Sequence, residues 1–107
     1  MGLNLELDTG RLWDALREVI DPELGVNIVD LGLVYEVNAF PSGDVQIVMT
    51  LTTPACPLSA YFKRAIPLIL SRKVKEIGTV SVDIVWEPRW EPQMMSQSAR
   101  KMLGWAR

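Results

Sequence analysis

Apolar residues change their spacing several times along this chain, from the three-to-four interval of a helix to the alternation of a strand and back. Each change falls at a turn bearing proline or glycine. Such punctuated switching restricts the chain to a mixed fold of short elements. Asp8 or Thr9 can cap a first helix over about residues 10–20, with Leu12, Leu16, Val19 and Ile20 on its apolar side. Asp21-Pro22 ends it, because a residue before proline avoids the helical region. Beyond Ile28-Val29-Asp30-Leu31-Gly32, the alternation of Leu33, Tyr35 and Val37 predicts a first strand. Pro41-Ser42-Gly43-Asp44 supplies a turn into a second strand with Val45, Ile47, Met49 and Leu51 on one face, so the two should form an antiparallel hairpin. Pro57 suits the first position of a second helix, with Phe62, Ile66, Ile69, Leu70, Val74 and Ile77 as its stripe and Gly78 as its C-terminal cap. Pro67 should kink or divide that helix. Val80, Val82, Ile84 and Trp86 alternate as a third strand that ends at Glu87-Pro88. A last helix opens at Pro92, places Met94, Met95, Ala99, Met102 and Leu103 on its apolar side, and closes at Gly104. The expected fold is α+β: a two-layer sandwich of order α-β-β-α-β-α, with helices packed on a small mixed three-stranded sheet, in one domain spanning residues 1–107.

Composition removes several classes of function. The 107 residues include no histidine, which excludes Cys-His and Ser-His nucleophile pairs and His-based metal sites within the chain. One thiolate with carboxylates does not make the ligand set of a structural zinc site. The net charge is −2, and Lys and Arg are dispersed apart from Lys63, Arg64, Arg72, Lys73 and Lys75, so nucleic acid is not an expected partner. A single cysteine, the lack of a signal-peptide pattern and the lack of an apolar run of about 18 residues lead to the expectation of a cytoplasmic protein without a membrane partner.

That cysteine, Cys56, stands between Pro54 and Pro57 where a strand pattern gives way to a helix pattern. A lone intracellular cysteine is most often a buried, inert small hydrophobe. At the mouth of a helix, however, unpartnered backbone N–H groups and the dipole favour the thiolate, and Lys63 and Arg64 follow one to two turns later. A thiolate so placed suits soft metals, persulfide sulfur or exchange with another thiol. Asp21 and Glu23 flank a proline turn, and Asp30 lies in an apolar stretch where an unpaired carboxylate is costly. Turn and loop roles explain all three; a small acidic pocket beside the thiol is the functional alternative. Trp86-Glu87-Pro88 recurs as Trp90-Glu91-Pro92, either as a strand end and helix start or, with Met94 and Met95, as a docking surface.

Three ordered blocks carry a family resemblance: Asp21 to Tyr35, Met49 to Leu58, and Trp86 to Trp90 with Met95-Ser96. Together they resemble the SufT/PaaD-like family of metal-sulfur cluster biosynthetic proteins. The resemblance implies an α+β fold, a part in maturing iron-sulfur proteins, and one pocket formed by Asp21, Glu23, Asp30, Thr53 and Cys56, with Cys56 as the reactive or ligating group. Neither the cysteine-rich tail of PaaD-type members nor the fused ATPase of other relatives occurs in this sequence, which is closer to the short, stand-alone SufT type.

A cluster usually takes four thiolates and one chain offers one, so stable storage of a cluster by a single chain is not expected. A homodimer, a partner protein or a small thiol could complete the set for transient holding. The expected protein is an assembly factor without turnover chemistry, working with the iron-sulfur assembly machinery and apo iron-sulfur proteins. Cys56 would be its transient ligand or reactive thiol. Two alternatives stand beside it: an adaptor that docks through Trp86 to Pro92 and the acidic turn, and a thiol-redox protein that uses Cys56 with an external thiol.

Overall fold

A computed structural model describes residues 9–53 and 57–104. Its order is α1 (Thr9–Leu16), β1 (Val34–Ala39), β2 (Val45–Met49), α2 (Ser59–Lys73), β3 (Val80–Ile84) and α3 (Gln97–Met102), with a 3-10 turn at Pro92–Met94 before the last helix. The expected order α-β-β-α-β-α is the observed one.

The turn chemistry of Pro41 to Asp44 sets the sheet. Gly43 takes a left-handed φ of 93° and donates to the Phe40 carbonyl, while Phe40 donates to Asp44 O, each at 2.9 Å, which folds β1 antiparallel onto β2. A parallel neighbour needs a crossover. α2 supplies it, so β3 lies parallel to β2 on the other side and the strand order is β1-β2-β3.

Strict alternation in β2 buries Val45, Ile47 and Met49 and turns Gln46 and Val48 to the opposite face. The buried side meets α1 and α2 in one core with Leu12, Leu16, Phe62, Ile66 and Leu70. The helices therefore cover one face of the sheet in two layers.

Several boundaries differ from the sequence expectation. α1 ends at Leu16, because Arg17, Glu18 and Val19 donate to carbonyls three residues back and tighten the chain. Ile20 then bridges Asn27 and is exposed rather than on the helix stripe. The cap proposed at Asp8 lies outside the described residues. β1 begins at Val34 and carries a bulge between Val34 and Glu36, where Tyr35 is the extra residue. α2 starts at Ser59, after a turn that includes Pro57, and ends at Lys73 with Val74 as C-cap. It runs undivided through Pro67. Gly78 is not its cap. Gly78 packs on the hairpin turn, where its N–H donates to Gly43 O at 2.7 Å and a Cβ would meet the Asp44 carboxylate. β3 stops at Ile84, which leaves Trp86 outside the sheet and 43% exposed. Pro92 opens the 3-10 turn, whereas α3 has its own cap in Ser96, whose Oγ accepts from Ala99 N at 3.1 Å. Gly104 closes α3 with a φ of 75°, and Met102 faces solvent.

Candidate functional site

Five backbone and side-chain hydrogen bonds draw the three sequence blocks to one end of the sheet. Thr50 N donates to Leu33 O and Val85 N to Met49 O, each at 2.8 Å, tying the ends of β2 and β3 to the start of β1. The segment from Trp86 to Ser96 then crosses over this junction as a strap. The Trp90 indole Nε1 donates to Leu31 O at 2.8 Å, Ser96 N to Asp30 O at 2.7 Å, and the Tyr35 hydroxyl to Pro88 O at 2.7 Å. Gly32, at a φ of 77°, lets the strap lie against it, since a Cβ there would collide with the Met94 backbone.

The acidic residues have local partners. Asp21 is only 4% exposed, and its Oδ1 accepts from Glu23 N at 2.8 Å and Leu24 N at 3.2 Å. That is an Asx turn, with Gly25 at a φ of 72° returning its N–H to Asp21 O. Glu23 is exposed on the same turn. Asp30 accepts from Asn27 Nδ2 at 2.7 Å through Oδ2 and donates its N–H to Asn27 Oδ1 at 2.9 Å. This pairing is how a carboxylate survives inside an apolar stretch.

Beside the strap lies a cleft of about 280 Å³, lined by Thr50, Leu51, Thr52, Thr53, Trp86, Glu87, Arg89 and Trp90. The structure thus brings Thr53 together with Trp86 and Trp90. Asp21, Glu23 and Asp30 are not among the residues lining this cleft. Among the described residues, no group of three or more Asp, Glu, Cys or His side chains is arranged to hold a metal ion. Cys56, the expected ligating or reactive group, lies outside the described residues; it follows Thr53 by three positions in the chain.

Of the expected docking residues, Trp86 and Met94 are exposed, and Trp90 is half-buried with its indole N–H engaged. Met95 is a correction: at 3% exposure it is part of the core, because the 3-10 turn directs it inward before α3 begins. Sequence alternation gave no sign of Tyr35 as a strap anchor, since the bulge that sets its orientation has no residue signature. Gly32 did leave a trace, as an isolated glycine in an apolar run marks close backbone approach. Burial raises the Tyr35 phenol above its ordinary value of 10.0; the Thr50 hydroxyl opposes this and the Glu87 charge adds to it.

Residues 10–84 match the family described as iron-sulfur cluster assembly protein. The chain belongs to that family. This iron-sulfur cluster assembly family member is 44% identical to the Fe-S protein maturation auxiliary factor SufT of Staphylococcus aureus over 80% of its length and 97% of the relative's. It is 43% identical to the auxiliary factor YitW of Bacillus subtilis, over 87% of this chain and 90% of that one. A crystal structure of a domain of unknown function from Bacillus anthracis superposes with a TM-score of 0.86 at 41% identity, covering 89% of this chain and 90% of that chain. No helix among the described residues is long and apolar enough to cross a membrane.

Proposed function

We propose that this family member assists the maturation of iron-sulfur proteins as a non-enzymatic factor, with Cys56 contacting iron, sulfur or a partner cysteine while a cluster passes to an apo-protein. The cluster is cargo, held transiently and completed by ligands from a second chain, a partner or a small thiol. The observation that carries this reading is the convergence of all three sequence blocks at one end of the sheet: the second and third line a cleft that includes Thr53, three positions before Cys56 in the chain, and the first is tied to the strap by hydrogen bonds. Relatives named as Fe-S maturation auxiliary factors support the cargo class. Asp21 and Asp30 enter as residues that shape the loop beneath the strap, since their described side-chain hydrogen bonds are with neighbouring turn groups and Asn27.

The test is complementation of a deletion strain with Cys56→Ser. Iron-sulfur enzyme activity should fall to the level of the deletion while the variant accumulates normally. Full rescue by Cys56→Ser would instead make the protein an adaptor that docks through the exposed Trp86 and Met94.

A further inference from the structure

The face of the sheet turned away from the helices is not uniform. Towards the hairpin it is polar, with Asn38 Nδ2 donating to Gln46 Oε1 at 3.1 Å and Gln46 Nε2 to Asp83 Oδ2 at 2.7 Å. Towards the strap it becomes an open trough of about 780 Å³ with an apolar floor that includes Val48 and Val85, walled by Tyr35, Pro88 and the exposed Met94. Among the described residues its charged lining consists of Glu36 and Glu87, both exposed, with no Lys or Arg. Neither carboxylate belongs to any of the ion pairs among the described residues, which are Arg11–Glu76, Arg17–Asp14 and Lys73–Glu18. Asp83, beside Val48 on the same face, adds a third negative charge. Of the exposed cations, Lys63, Arg64, Arg72 and Lys73 sit on α2, in the opposite layer, and Arg89 of the strap lines the neighbouring cleft, not the trough.

An apolar floor with an acidic rim is complementary to an apolar stripe bordered by cations. The floor is built from side chains on a sheet face, not from the main-chain groups of a sheet edge, which selects a helix laid across the face over a strand added beside it. The geometry points to this trough as the docking site for an amphipathic helix of a partner protein, with its apolar residues on Val48, Val85 and Met94 and its Lys or Arg residues against Glu36 and Glu87. The contact is argued from the apolar floor and the two carboxylates and calls on no thiol chemistry, so the inference goes beyond the maturation reading and is tested apart from it.

The probe is a fluorescein-labelled synthetic helix with leucines at helical spacing and lysine flanks, titrated into the full chain. It should bind, and shift the methyl resonances of Val48, Val85 and Met94 ahead of all others. The Glu36→Lys, Glu87→Lys double variant, altered only at exposed positions, should weaken binding by about tenfold or more, and added salt should weaken the wild-type complex in the same sense. Shifts centred on α2 or along the edge of β1, equal binding of a peptide with glutamate flanks, or a self-associated chain that dissociates in the double variant would each overturn the assignment. Cys56→Ser should bind the peptide as the wild type does. Failure of the peptide to bind a protein that still matures clusters therefore removes the trough alone, and loss of maturation in Cys56→Ser with peptide binding intact leaves both readings standing.

Discussion

Asp21 is a carboxylate that sequence reasoning could place either in a turn or in a pocket, and its hydrogen bonds decide how it behaves. Its Oδ1 accepts from two backbone N–H groups while the residue is almost wholly buried. Removing the acceptor leaves those donors to find other partners, so Asp21→Ala should destabilise the protein by about 1–2 kcal/mol. Asp21→Asn keeps an acceptor oxygen and should cost a minor part of that. Urea denaturation of the two variants checks the order. A residue needed for its negative charge would show the reverse pattern in complementation, with Asn as defective as Ala. Glu76 is the surface counterpart: its carboxyl is pulled below the ordinary range mainly by the hydrogen bond from Arg11 at 2.9 Å, and its exposed position makes it a weak contributor to folding.

The element that distinguishes this sheet is the strap from Trp86 to Ser96, a segment with one short 3-10 turn that gains its position from three hydrogen bonds to the loop and strand beneath it. Tyr35 anchors its centre. Tyr35→Phe removes the bond to Pro88 O and should cost about 0.5–1.5 kcal/mol. Faster hydrogen exchange should follow in the amides of residues 86–94, with those of β2 unchanged. The pH dependence has a definite sign. Because burial raises the phenol above 10.0 in the folded protein, Tyr35 contributes stability that is fully present below the unfolded value and is lost as pH rises past it. The stability gap between wild type and Tyr35→Phe should therefore narrow above pH 10, as read from urea midpoints on either side of that value.

At the scale of the molecule, the fold was legible because each element declares its period: β2 buries Val45, Ile47 and Met49 as alternation requires, and Phe62, Ile66 and Leu70 follow helical spacing. Backbone pairing between segments fixed what the sequence left open. α1 gives way early to the Ile20–Asn27 bridge, and Tyr35 becomes a bulge because Val34 and Glu36 pair with adjacent residues of β2. The site was legible as three blocks of residues, but their meeting through Trp90, Ser96 and Tyr35 spans more than fifty positions and leaves no local spacing to read. The two faces of β2 give this architecture its sharpest test, since neighbouring residues there have opposite duties. Ile47 is fully buried between Val37 and Val82 in the core, so Ile47→Ala should cost about 2–5 kcal/mol, a large share of the roughly 5–15 kcal/mol that holds a domain together. Val48, one position on, faces the open trough, and Val48→Ala should cost no more than about 1 kcal/mol while weakening the lysine-flanked helix that the trough is inferred to hold. Urea unfolding and peptide titration on the same two variants should thus give opposite rankings. Equal destabilisation by both would mean that the second face is covered by the protein's own chain and is closed to a partner.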